Sequence, residues 1–180
     1  MGHRFAAVKA GGLRPFAERF QREGFAAIVL DDRQWGGSDG QPRDVVSVPR
    51  QREDYRGAIG WAVEHPLIDT RRIFAWGSSF SGIHSVELAA TDSRLAGALG
   101  QSPFVDGLVA MTMAPRRHSL SLFGLGLRDL VGSLLGRSPR YLAASAGPGE
   151  RAGFASDEAL AGLALTRLRV CNRGSAAIRW

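Results

Sequence analysis

A serine flanked by small residues occupies positions 77–82, where Gly77-Ser78-Ser79-Phe80-Ser81-Gly82 follows the apolar run Ile73-Phe74-Ala75-Trp76 and precedes a helix-like stretch at 83–90. Strand, cramped turn and helix is the context that exposes a serine hydroxyl for attack on a carbonyl carbon. The serine of such a turn is held in strained backbone geometry, so its neighbours must be small. The complete pattern is G-x-S-x-G; here Ser81 replaces the last glycine and Gly82 follows at once. Small-residue turns between strand and helix also serve as plain loops or phosphate cradles, so the surrounding elements must decide.

Those elements alternate. Residues 16–23 carry apolar side chains at helical spacing after Pro15 and stop at Gly24. Residues 25–30 are a continuous apolar run, as in a strand buried on both faces. Asp31-Asp32-Arg33 ends the run, and Gly36-Gly37-Ser38-Asp39-Gly40 makes a loop. A second helix is predicted over 48–64, with Pro49 in its first turn and Tyr55, Ile59 and Ala62 facing inward. Residues 73–76 form the next buried strand, then come the serine turn, its helix, and a strand at 95–99. Helix and strand in alternation predict an α/β fold with a parallel sheet and right-handed crossovers.

The 180 residues have an ordinary globular composition, 44% hydrophobic and 22% charged. The net charge is +6, but Lys9 is the only lysine among 23 basic residues and the arginines are scattered. Without a basic stripe or an aromatic stacking platform, no nucleic-acid partner is expected. Cys171 is the single cysteine, which excludes a disulfide framework or a cysteine-rich metal site, and no metal or organic cofactor is indicated. Residues 1–12 hold no apolar run long enough for a signal peptide, so a cytoplasmic setting is expected. Nucleotide binding is disfavoured because no lysine follows the glycines and no G-x-G-x-x-G is present.

Asp31-Asp32-Arg33-Gln34-Trp35-Gly36-Gly37-Ser38-Asp39-Gly40 resembles the D-x-R-x-x-G-x-S-x-G loop of α/β-hydrolases. Within that superfamily the chain is most similar to the Xaa-Pro-peptidase-like and dienelactone-hydrolase-like branch, whose members read G-x-S-F-x-G at the nucleophile turn and P-F-x-D after the next strand. Here these are Gly77 to Gly82 and Pro103-Phe104-Val105-Asp106. The likeness covers about residues 3 to 110. It implies a partial α/β-hydrolase fold and a serine hydrolase acting on ester, thioester or amide bonds of a small-molecule acyl substrate.

The same resemblance implies roles for particular residues. Ser79 would be the nucleophile, and the backbone N–H of Phe80 would stabilise the oxyanion. His3-Arg4-Phe5-Ala6-Ala7 stands at the position of the family's His-Gly loop, so Phe5 would offer the second N–H; Arg4, Ala6 and Ala7 replace glycines there. The superfamily places the triad acid and histidine after the serine, which leaves Asp106 and His118 as candidates. Asp106 reads first as a turn aspartate before Gly107, and His118 first as part of a solvated Arg116-Arg117-His118 loop. His84, inside the helix after Ser79, reads as a packing histidine.

Three segments are expected: 1–107 as the hydrolase core, 108–165 as a helical cap or lid, and 166–180 as an irregular tail. The apolar stretch at 120–135 is broken by Arg128 and Asp129 and is too short to span a bilayer. Ser156-Asp157-Glu158 begins one more helix, reaching 165. Set against complete members of the superfamily, the chain reads as truncated at both ends. Open sheet edges then predict self-association. The competing expectation is a noncatalytic fragment that lacks the triad acid and histidine.

Overall fold

A computed structural model gives the fold and describes residues 1–157, 161 and 175–178. In chain order its elements are α1 (Arg14–Arg22), β1 (Val45–Val46), α2 (Val48–Glu64), β2 (Phe74–Ser78), α3 (Phe80–Thr91), β3 (Gly97–Gln101), α4 (Gly107–Met113), α5 (Arg116–Leu134), β4 (Tyr141–Ala146), β5 (Ala152–Ala155) and β6 (Ser175–Ile178). They divide between two units, Met1–Asp39 with Pro49–Val105, and Gly40–Val48 with Asp106–Trp180.

The first unit is built around β2, α3 and β3. Pro15 presets helical φ in the first turn of α1, where no amide bond is lost, and Gly24, at φ 85°, makes the left-handed turn that ends the helix. β2 and β3 pair in parallel from Phe74 opposite Gly97 to Ser78 opposite Gln101, with α3 as the crossover. Gly2 also bridges Gly77 in parallel and donates its N–H to the Trp76 carbonyl at 3.0 Å. On α2 the predicted stripe Tyr55, Ile59 and Ala62 is buried, and Gln51 continues it one turn earlier. Leu88 of α3 is completely shielded from solvent.

The second unit holds a four-stranded sheet in the order β1, β6, β4, β5. β4 runs parallel to β5 and antiparallel to β6. The Tyr141 hydroxyl donates to the Arg43 carbonyl at 2.8 Å. Among the described residues no helix is long and apolar enough to cross a membrane.

Several expectations are corrected. Residues 25–30 do not form a strand: Phe25 is 43% exposed, and the segment meets the first residue only through Met1 N–H to the Ile28 carbonyl and Leu30 N–H to the Met1 carbonyl. Two bonds to one residue do not make a ladder, however apolar the run. The strands expected at 73–76 and 95–99 begin one and two residues later. Residues 40–48, counted with the core, group with the second unit. The segment expected to be a helical cap continues past α5 into β4 and β5, and the tail expected to be irregular contributes β6. Tyr141-Leu142-Ala143-Ala144-Ser145-Ala146 is rich in alanine, which has little strand propensity and masked the signal. The helix expected at 156–165 lies mostly outside the described residues.

Because Leu88 packs without any solvent contact, Leu88→Ala should cost about 3 kcal/mol through lost transfer energy plus a cavity. Urea unfolding of both proteins would read this as a lower midpoint at an unchanged slope.

Candidate active site

Ser79 links β2 to α3 with φ 54° and ψ −113°, a conformation that costs a non-glycine residue of order 1–3 kcal/mol. Three backbone bonds hold it. Its N–H donates to the Gln101 carbonyl at 2.9 Å, and its carbonyl accepts from Gly82 and Phe104 N–H, each at 3.0 Å. The strain is thus fastened to β3, to α3 and to the segment after β3. Phe80 opens α3, so its N–H belongs to the first helical turn, where backbone donors have no partner within the helix.

The packing shows why glycine is needed at 77 and not at 81. A Cβ on Gly77 would overlap the Ser81 carbonyl oxygen and lie 2.7 Å from the Ser85 hydroxyl. One on Gly82 would lie 3.1 Å from Pro103. Ser81 is buried yet fully used: its hydroxyl accepts from Ser78 N–H at 3.0 Å and donates to the Ser78 carbonyl at 3.2 Å.

The loop at residues 3–7 is brought to the same place, for the Phe5 ring meets the Phe80 ring edge-on at 5.5 Å. Phe104 lies 6.3 Å from Phe80, so aromatic rings gather around the serine turn. Ala7 N–H donates to the Arg4 carbonyl at 3.2 Å, closing a turn in which Ala6 takes φ 51°. Asp31 fastens both ends of the neighbouring loops: Oδ1 accepts from Lys9 N–H at 2.6 Å and Oδ2 from Gly37 N–H at 2.9 Å. Gly36, at φ 50°, lies so close to this carboxylate that a Cβ would stand 2.8 Å from Oδ1. Arg33 reaches across to α2, donating through Nε to Asp54 at 2.6 Å and pairing with Glu53 at 3.1 Å.

A buried polar group lies beneath these loops. His3 Nδ1 meets the Arg4 carbonyl at 2.9 Å, and its Nε2 faces Asp32 Oδ2 at 3.6 Å. The same Oδ2 accepts from Gln51 Nε2 at 2.8 Å, and Gln51 Oε1 lies 3.3 Å from His84 Nε2. Burial pushes the Asp32 carboxyl up to about 6; Asp54 and Asp31 add to the rise, while His3 and Gln51 oppose it. Burial also pushes His84 down to about 4, helped by the charges of Arg52 and His3. Arg52 itself pairs with Glu87. Sequence reasoning missed this network. The available signal was Gln51, a polar residue one turn before Tyr55 on an otherwise apolar stripe.

The imidazoles of this unit contact neighbours other than Ser79. His84 is a packing histidine, against Phe80 at 5.0 Å and Gln51, and His65 stacks on Trp61 at 4.6 Å. In the second unit, Asp106 caps α4 by accepting from Leu108 and Val109 N–H at 2.8 and 3.1 Å. His118 lies in the first turn of α5, its N–H donating to the Pro115 carbonyl at 2.8 Å. Among the described residues no group of three His, Cys, Asp or Glu is placed to hold a metal ion.

A family model described as X-Pro dipeptidyl-peptidase (S15 family) matches residues 5–144. The quorum-quenching protein AidA of Acinetobacter baumannii (strain MDR-ZJ06) is 40% identical over 162 residues, which are 90% of this chain and 53% of AidA. The thiohydrolase aneE of Aspergillus aculeatus is 34% identical over 115 residues, 64% of this chain and 36% of its own length. The crystal structure of the alpha/beta hydrolase GrgF from Penicillium sp. sh18 superposes with a TM-score of 0.78 at 28% identity, covering 98% of this chain and 60% of that one. The chain spans about half the length of the curated relatives it matches.

Two outcomes follow from the packing and the buried histidine. Gly77→Ala should cost several kcal/mol or prevent folding, because its Cβ meets rigid backbone. Ser81→Gly should cost only about 1–2 kcal/mol, the worth of its hydroxyl bonds plus helix propensity; urea unfolding of the two variants tests the contrast. His84, held near 4 in the folded chain against an ordinary 6.5, stays neutral where the unfolded chain binds a proton. Its stabilising share is intact above pH 6.5 and is lost as pH falls toward 4, the opposite direction to Asp32. Across that window the wild type should lose on the order of 3 kcal/mol more than His84→Gln, read from urea midpoints at several pH values.

Proposed function

The chain belongs to the X-Pro dipeptidyl-peptidase (S15) family and has an α/β-hydrolase fold. From that premise we propose that it acts as a serine hydrolase on ester, thioester or amide bonds through an acyl-enzyme on Ser79. The observation that carries the reading is the Ser79 backbone at φ 54°, strained and fastened by three hydrogen bonds between a parallel strand and the helix it enters. A strained serine at that junction has little structural use, and strain of this kind is found where it serves a reaction.

In this reading the Ser79 oxygen attacks the carbonyl carbon of the substrate, and the negative charge that develops on the carbonyl oxygen is met by the N–H groups of Phe80 and Phe5. Collapse of the tetrahedral intermediate breaks the bond to the alcohol, thiol or amine, which leaves carrying the proton that the Ser79 hydroxyl gave up through the base. Water then adds to the acyl-enzyme, releasing the carboxylic acid and restoring the hydroxyl. The rings of Phe5, Phe80 and Phe104 suit an apolar acyl group. The matched relative named a thiohydrolase favours a thioester among the three bond types. Asp106 and His118, which follow Ser79 in the superfamily's order, are the proposed acid and base.

A second reading is favoured by the engagement of His3, His65 and His84 elsewhere in the serine's own unit. Without a base within reach, Ser79 would be inert and the chain a noncatalytic remnant. One experiment separates the two. A fluorophosphonate probe should label the folded 180-residue chain and fail to label Ser79→Ala, with His118→Ala reducing the rate of labelling at least about 100-fold. Absence of labelling in a chain shown by circular dichroism to be folded would establish the inert reading.

A further inference from the structure

The two ring nitrogens of His3 face two oxygens that differ in kind. Nδ1 lies 2.9 Å from the Arg4 carbonyl, which can only accept, so Nδ1 carries hydrogen and donates. Nε2 then faces the carboxylate oxygen of Asp32 at 3.6 Å, in a site where His3 and Asp32 are both almost wholly buried. Two lone pairs opposed across such a gap would repel in a medium of low dielectric, which favours a proton on one partner or the other; at 3.6 Å the pair is a charge contact rather than a hydrogen bond, and Nε2 has no hydrogen-bond partner. Whichever holds it, the ring cannot exchange its Nδ1–H for the other tautomer without losing the bond to Arg4.

The Arg4 carbonyl is one end of a peptide plane whose other end is the Phe5 N–H. In a trans peptide the two point in opposite directions, so fixing the carbonyl fixes where the amide hydrogen points. We propose that His3 is a positioning residue, locked by Asp32 on one side of its ring, whose Nδ1–H on the other side aims the Phe5 N–H at the oxyanion. Ala7 N–H also binds the Arg4 carbonyl and sets the turn, but it belongs to the same short loop and cannot anchor that loop to the body of the unit. His3 does, through Asp32 and Gln51 to α2. The assignment of Phe5 as an oxyanion donor rests on the hydrolase reading, whereas the state of the His3 ring does not.

The test therefore has two arms. Long-range proton–nitrogen NMR of the folded chain, with His3 identified by its loss in His3→Gln, should show hydrogen on Nδ1. In Asp32→Ala the Nδ1–H population should fall, and in Asp32→Asn it should persist, since the amide can donate to Nε2. Hydrogen found on Nε2 alone in the wild type overturns the proposal, whatever the activity. In the second arm, hydrolysis of a p-nitrophenyl acyl ester should show kcat reduced about 10-fold to 1,000-fold in His3→Ala and in Asp32→Ala, with KM within about twofold. Asp32→Asn should recover most of the rate. An unchanged kcat in His3→Ala, or Asn behaving like Ala at position 32, also overturns the proposal. A wild type with no Ser79-dependent turnover sinks the hydrolase reading instead, and the spectrum alone then decides the orientation of the loop.

Discussion

The first unit depends on one strained residue and the bonds that hold it. Ser79 sits outside the helical and extended regions of backbone space at a cost of order 1–3 kcal/mol. Its N–H and C=O make three hydrogen bonds, each worth about 1 kcal/mol net. The two totals are comparable, so the turn survives only because its partners are already fixed by their own packing. β3 holds Gln101, α3 holds Gly82, and the chain after β3 holds Phe104. Loosening any one would relax the serine toward ordinary geometry. This is why Gly77 and Gly82 permit contact closer than a side chain would allow, with the backbone of α3 and with Pro103 respectively.

A second layer of order reaches the site from below. Apolar packing alone would leave the loop after Gly2 free to choose among turns. Instead Asp31 grips the backbone at Lys9 and Gly37, and His3, Asp32 and Gln51 tie the loop to α2. Burying these groups is expensive, and burial accordingly pushes the Asp32 carboxyl up and the His84 imidazole down. Replacing them with hydrocarbon would relieve the desolvation but remove the directionality, because a methyl group cannot specify the angle of a peptide plane. The network trades stability for orientation, which is useful only where orientation matters.

Much of the first unit was legible in the sequence because its signals are local. Pro15 and Gly24 bracket α1, a 3.6-residue stripe marks α2, and the small residues around Ser79 announce the turn. The fold class followed from the order of those signals. What was not legible depends on partners distant in the chain. Residues 25–30 have the composition of a buried strand, yet a strand exists only against a neighbour, and here the neighbour is Met1. β4 is written in alanine and serine, which no periodicity distinguishes from loop, and its existence is owed to β5 and β6. The buried network was hidden for the same reason: His3, Asp32, Gln51 and His84 are spread over 82 positions and only the fold brings them together.

The exchange of glycine for serine at 81 shows what the nucleophile motif encodes. Read as letters, G-x-S-x-G is broken here. Read as space, it is intact, because the contact that forbids a side chain belongs to Gly77 and the tight approach to Pro103 belongs to Gly82. Position 81 points its side chain back along the turn, where a hydroxyl can satisfy both the N–H and the carbonyl of Ser78. A glycine there would leave that exchange unmade. Serine braces Ser78, the residue before the strained one, from a buried position. The constraint on this turn is therefore volume at 77 and 82 and polarity at 81, whereas the pattern writes glycine at 77 and 81 and does not reach 82.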